Sequence, residues 1–527
     1  MDVIYDYLVI GAGSAGCAVA ARLAADPQVR VALVEAGGPD RDPAIKVPAA
    51  FAALIGGEHD WDYRTEPQPE LDGRTIRCPR GRVLGGSSSL NAQVWTRGHQ
   101  ADFDGWAAAG NPGWSYKEVE PYFRRAERRA GRNRAAVYGT DGPLHVQENR
   151  SPSAATGAFL EACRELGFSA LAEMNTADNT GFARTPTTQY RGRRWSAADG
   201  YLRSSDHPNL TVLTRLQVQR IALRGTRAHG VEALDHRGRN VTLTARREVV
   251  LSAGAINSPH LLMLSGIGDP DHLRTHGITC AAALPGVGQG LQDHLFAPLI
   301  VRSLVRLPLT SARSLSSRLA YALLRRGPLA SNIAEAACFL SSEAASSPPD
   351  LELGFLPAPF INHGLEPLTT DGMTIGVVLL QPASTGRVRL RSPWPNEPPK
   401  IDPAYLSDPG GEDIRLLIHG LRVARRAFDT TALAPYAGPP WYQDLDLDDA
   451  ASAERHVRRR ADTIYHPVGT CRMGNDGDAV VDARLRVHGV TGLRVVDASV
   501  MPRITRGHTH APTVMIGERA ADLMNEE

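Results

Sequence analysis

Tyr5-Asp6-Tyr7-Leu8-Val9-Ile10-Gly11-Ala12-Gly13-Ser14-Ala15-Gly16-Cys17 is the stretch whose reading decides the fold. Tyr5 to Ile10 is a short apolar run of strand type, and the six residues after it make a glycine-rich turn. Cys17 to Ala25 is Ala-rich, with Leu23 on a helical period. A second apolar run, Val31 to Val34, ends in Glu35, which stands 19 residues after Gly16 and is followed by Ala36. Strand, turn, helix, strand and acid in this order form a βαβ dinucleotide-binding unit.

Each part of that unit has a physical task. Gly11 permits the tight turn, Gly13 lets backbone approach a pyrophosphate, and Gly16 allows close helix–strand packing. Ser14 and Ala15 open the helix, whose N-terminal N–H groups face the anion. Glu35 is placed to accept hydrogen bonds from a ribose. A bare GxGxxG is common in structural turns; both flanking strands and the terminal acid give this one its meaning.

Outward from this stretch, 527 residues exceed one ordinary core, which stops growing at roughly 250 to 300 residues. Two domains are expected. Fifty-eight basic against 57 acidic residues give a net charge of +1, so no global field attracts nucleic acid or an anionic membrane, although local patches stay open. Only Lys46, Lys117 and Lys400 are lysine; the remaining positive charge is arginine. The six cysteines are scattered, with no CxxC pair, and read as reduced thiols without a zinc or other metal site. No export signal is visible at the N-terminus, and apolar runs such as Ile375 to Leu380 fall far short of a bilayer span, so a cytoplasmic protein is expected.

Residues 39 to 80 are rich in Pro, Gly, Asp and Arg and predict little regular structure. Gly81 to Asn91 is a second cluster of glycine and hydroxyl residues, pinned by Val83, Leu84 and Leu90, with a helical pattern containing Trp95 after it. Short strands follow at Leu210 to Leu213, Val218 to Leu223, His229 to Leu234 and Val249 to Leu251, the last feeding Ser252-Ala253-Gly254-Ala255 and a helix over Ser258 to Leu264. About 305 to 350 is rich in Ser, Ala and Arg. Further strands are predicted at Gly354 to Leu356, Met373 to Leu380 and Val388 to Leu390, then a helix over Glu412 to Phe428. Near the C-terminus, Tyr465-His466-Pro467-Val468-Gly469 and Gly507-His508-Thr509-His510-Ala511-Pro512 flank a strand, Leu493 to Val496, that ends in Asp497-Ala498. A helix over Val514 to Met524 closes the chain. The two histidine loops could face one site.

Taken together, five motifs in order resemble the glucose-methanol-choline (GMC) oxidoreductases. They are the N-terminal fingerprint, the Gly81 to Asn91 loop with Trp95, Gly98 and Asp104, the Gly254 to Gly268 segment, the stretch from Pro285 through Asp293 and His294, and the histidine loops. The resemblance runs from about residue 5 to 524. It implies an α/β, two-domain fold: a Rossmann-like FAD-binding domain built from 1–151, 206–299 and 456–527, and a substrate domain from 152–205 and 300–455. The latter carries a mainly antiparallel sheet covered by helices.

The resemblance also implies FAD in the βαβ site, with Gly11, Gly13, Gly16 and Glu35 on its ADP half. Arg82, Gly86, Ser87, Asn91 and Ala92 match the loop along the pyrophosphate and flavin, Val218 the adenine side, and Ala253, Asp497, Ala498, His510 and Ala511 further cofactor positions. Some relatives bind FAD covalently through a histidine that aligns with Leu90; leucine cannot form that bond, so non-covalent FAD is expected. The implied reaction is oxidation of an alcohol to the aldehyde, with hydride passing to flavin N5 and oxygen, a quinone or a dye as acceptor. His466 aligns with the base and His510 is assigned the second catalytic position, with His508 the weaker candidate. Ile464, Tyr465 and Val378 are expected to line the substrate side and to suit an uncharged primary or aromatic alcohol. Rival readings are a hydroxynitrile lyase on the same fold and a redox-silent flavin-binding module.

Overall fold

β1 (Ile4–Ile10) is buried at every residue after Ile4, as a strand covered on both faces must be. The computed structural model describes residues 4–129, 137–204, 207–312, 314–343, 347–366 and 369–526. From β1 the chain turns through the glycines into α1 (Ser14–Leu23) and returns as β2 (Val31–Val34), parallel to β1. α2 (Ala154–Glu165) and β3 (Gly181–Arg184) come next, then a run of four strands: β4 (Leu210–Leu213), β5 (Leu216–Arg224), β6 (Arg227–Asp235) and β7 (Asn240–Leu251). α3 (Gly254–Leu264) and β8 (Leu295–Ser303) follow, then α4 (Leu315–Leu324), β9 (Ala336–Leu340), β10 (Leu351–Leu356) and β11 (Gly372–Leu379). α5 (Glu412–Phe428), β12 (Ala437–Pro440), β13 (Asp462–Thr463), β14 (Leu493–Val495) and α6 (His510–Asn525) complete the set.

Two seven-stranded sheets organise these elements. In the first, β4, β2, β1, the C-terminal half of β7 and β14 run parallel, and β5 and β6 extend it as an antiparallel meander on β7. α1 and α6 pack side by side, and Gly517 permits this: a Cβ there would lie 2.6 Å from the Ala15 carbonyl oxygen. In the second sheet β12, β8, β11, β10, β9 and β3 are neighbours in that order, every pairing antiparallel, with β13 added on β8. α5 packs on β11, β8 and β10, and α2 on β9, β3 and β10. The fold is the expected α/β, two-domain one. β8 crosses the anticipated boundary at residue 300 and belongs whole to the second sheet.

Alternation along the second sheet decides what it does. Leu295, Ala297, Leu299, Leu353, Phe355, Ile375, Val377 and Leu379 point to the helices and form one core. Their neighbours Phe296, Glu352, Gly354, Leu356, Gly376 and Val378 face the other way, onto a cavity. One local expectation fails: no helix contains Trp95. A short 3-10 turn covers Gly86–Ser89, Trp95 lies in the irregular stretch after it, and the helix begins only at Gln100, where His99 and Asp102 form the cap. Trp95 instead spends its indole N–H on buried Glu127, at 2.8 Å. All six cysteines are free.

Candidate active site

The first sheet and the cavity-facing side of the second enclose a space of about 650 Å³. Of the residues predicted to meet cofactor or substrate, all but Gly16 and Ala511 border it. Gly16 has the packing task expected of it: a Cβ there would lie 1.9 Å from the Gly11 carbonyl oxygen. Ala511 is buried in the first turn of α6.

The dinucleotide half is shaped as the turn predicts. Gly11 has φ 101°, a conformation glycine adopts without strain, and a Cβ there would meet the Ser252 carbonyl oxygen at 2.4 Å. In front of Gly13 a Cβ would meet nothing within 4 Å, so the backbone is open to a ligand. The second glycine loop closes on it, with Gly86 so near that its Cβ would lie 2.7 Å from Gly13 Cα. Glu35 accepts from Ala12 N at 2.9 Å and Gly37 N at 2.8 Å, and burial raises its pKa to about 7. Two polar atoms on this wall, Ser252 Oγ and His510 Nε2, are buried without a partner. Open backbone, free donors and acceptors and a terminal acid fit the ADP and ribityl parts of FAD.

His466 sits opposite, on a loop that its neighbours hold in one shape. Tyr465 has φ 72°, an uncommon value for a bulky residue, and Arg80 donates to its carbonyl oxygen at 2.5 Å. Asp293 anchors the turn: Oδ1 accepts from His466 N at 2.7 Å, and Oδ2 from the Thr463 and Tyr405 hydroxyls at 2.5 and 2.6 Å. Tyr465 OH reaches His363 Nδ1 at 2.8 Å.

The ring of His466 is tied to His294, Nδ1 to Nδ1 at 2.9 Å, and His294 Nε2 lies 3.1 Å from the Leu380 carbonyl oxygen. A carbonyl accepts only, so His294 Nε2 carries the proton. Burial, with His508 close by, holds His294 down at a pKa of about 3 against the pull of the Leu380 and Thr505 carbonyls, so it is neutral, and with its proton on Nε2 its Nδ1 is bare. His466 Nδ1 must then be the donor. Its Nε2, the atom left for the cavity, carries a free lone pair. Burial, with His508 and His294 close by, keeps the His466 pKa well below the usual imidazole range, so the ring is neutral at pH 7.

Two further histidines, His508 and His510, line the same cavity. His508, thought the weaker candidate, packs its ring edge-on against His466 with centroids 4.8 Å apart, and its Nε2 lies 3.2 Å from Glu352 Oε1 on β10. His510, the predicted partner, turns its Nδ1 to Ser14 Oγ at 3.0 Å and so stands on the dinucleotide side. Burial and nearby Arg194 lower its pKa to about 4. Sequence reasoning also missed His294, Glu352 and Asp293 as parts of the site. Asp293 and His294 were visible in the motif quoted above but had no role. Glu352 gave no signal, because only strand pairing brings it to the cavity.

Similarity to known proteins gives the family. Residues 5–296 and 382–517 fit the two family models described as GMC oxidoreductase. The chain is 48% identical to an uncharacterized GMC-type oxidoreductase of Mycobacterium tuberculosis over 99% of its own length and 100% of the relative's. It is 40% identical to an alcohol dehydrogenase [acceptor] of Pseudomonas putida, covering 99% of this chain and 96% of that one. Among solved structures, pyridoxine 4-oxidase from Mesorbium loti superposes with a TM-score of 0.90 at 33% identity, covering 99% of both chains. The protein belongs to the GMC oxidoreductases, FAD-binding enzymes that act on CH–OH donors.

Proposed function

We propose that the protein oxidises a small primary alcohol, largely apolar, to the aldehyde, with His466 as base and FAD bound without a covalent link. The observation that carries this is the chain from the Leu380 carbonyl through His294 to His466, a cavity-lining ring whose Nε2 this tautomer leaves bare. FAD, when bound, supplies the acceptor for the carbinol hydride. The hydroxyl proton goes to His466 Nε2. His508, held by Glu352, orients the alcohol oxygen from the adjoining edge and favours the developing alkoxide. His510 serves the cofactor, and Leu90, in place of a histidine, leaves the flavin dissociable.

Val378, Ile464, Phe296, Phe360 and Leu356 give the substrate end its apolar surface. One feature supports a second reading: Glu352 Oε2 is buried with no partner. That oxygen, with the rings of Phe296, Phe360 and Tyr465 on the same wall, suits an alcohol bearing an ammonium group.

Anaerobic stopped-flow reduction of the flavin by an alcohol panel that includes benzyl alcohol and choline tests both. Bleaching by neutral alcohols supports the first reading and bleaching by choline alone the second. A His466→Ala variant that bleaches as fast as wild type removes His466 as the base.

A further inference from the structure

α4 (Leu315–Leu324) wears its polarity inside out. Its buried side consists of Ser317 and Tyr321, at 8% and 5% exposure, whereas Leu315, Leu319 and Leu323 are 73%, 50% and 79% exposed. These three are four residues apart and form one stripe. Leu304 and Val305, just beyond β8, add 65% and 39% exposed side chains from the same segment of chain. A stripe of exposed leucines on one helix face marks an interaction surface, since burying polar side chains and exposing leucine costs free energy that water does not return.

The charge around the patch says which kind. Between Asp293 and Glu335 the sequence carries six arginines and no acid, in a protein whose net charge is only +1. Arg306, Arg318 and Arg326 are exposed in the same stretch as the leucines, and Arg193 lies near Tyr321. Asp371, a carboxylate that touches this segment, is engaged by Leu307 N at 3.0 Å and the Thr310 hydroxyl at 2.7 Å. A two-fold contact with a second copy would set arginine against arginine. Anionic headgroups neutralise the arginines while acyl chains take up the leucines.

We propose that α4 and the Leu304–Val305 segment dock the protein on an anionic lipid bilayer, lying in its interface. No described helix is long and apolar enough to cross a membrane, and α4, with ten residues, lies on the surface. The patch leads toward the cavity: α4 packs on the turn Pro328–Ala330, which packs on the short helix Pro48–Leu54, and Phe51 of that helix lines the cavity. Docking is independent of the alcohol assigned above.

The test is co-sedimentation of the FAD-loaded protein with vesicles of phosphatidylcholine alone and of phosphatidylcholine with phosphatidylglycerol, with light scattering of the vesicle-free protein. Wild type is expected to pellet with the anionic vesicles and stay in solution with the neutral ones. Leu315→Ser/Leu319→Ser/Leu323→Ser should remain in the supernatant while oxidising a water-soluble alcohol at the wild-type rate. Arg306→Ala/Arg318→Ala/Arg326→Ala should weaken partitioning by about a hundredfold, at roughly fivefold per arginine. Three results overturn the proposal: wild type that ignores anionic vesicles, a leucine variant that still pellets, or a vesicle-free dimer that the leucine changes convert to monomer.

Discussion

His294 borders no part of the cavity, yet it sets which nitrogen of His466 faces it. Replacing His294 by Phe keeps a planar ring and removes both nitrogens, so His466 is free to place its proton on either side. Steady-state kinetics should show kcat lowered by about 10² to 10⁴ with KM little changed, since the ring contributes to proton transfer rather than to substrate binding. The pH profile is a second expectation. A base is active when deprotonated, so activity falls as pH drops through its pKa. Burial depresses the His466 pKa, and the acid limb of kcat/KM should therefore lie below pH 6.5. A limb at or above 6.5 would contradict the buried, neutral ring. His510→Ala should act differently, costing about fivefold in FAD affinity for one lost hydrogen bond near 1 kcal/mol from the partnerless Nε2, read from the flavin-to-protein absorbance ratio. Legibility ended at this scale. His466 and His510 both stand on the cavity, but His508 and His510 are two residues apart, and sequence spacing does not say which way a loop turns each ring.

Among the elements, the glycines of β10 and β11 are the least conspicuous and the most consequential for substrate choice. Gly354 and Gly376 face one another across the pair, and a Cβ on Gly376 would lie 2.8 Å from the Phe296 ring. Gly376→Ala should push Phe296 into the cavity and lower kcat/KM for bulky alcohols more than for ethanol; an unchanged ratio would place the substrate elsewhere. The strands themselves were legible from their apolar runs, and Val378 was named. Which residues look into the cavity was not, because alternation fixes two faces but only the pairing of β8, β10 and β11, far apart in sequence, says which is covered by helices. The first sheet was easier, since its glycine turn, helix and two strands are consecutive.

Across the whole molecule, the cavity joins the two sheets, so the cofactor should bind folded protein alone and raise its melting temperature. At a hundredfold excess over Kd the gain is about 2.7 kcal/mol, visible as a thermal shift when FAD is added to flavin-stripped protein. Acid precipitation should leave the yellow colour in the supernatant, because Leu90 offers no atom for a covalent bond; colour in the pellet would overturn this. The network around the base carries one more consequence. Leu380, His294 and His466 all stand at one end of the second sheet, where Leu295 pairs with Thr463, whereas His508 arrives on the loop that leads into α6 beside α1. The two rings proposed to meet over the alcohol thus arrive on two separate loops, one anchored at the end of the second sheet and one leading into a helix of the first. Their 4.8 Å contact is a gauge of how those loops are seated, and on the proposed mechanism a slip between them would slow proton removal before it disturbed either core.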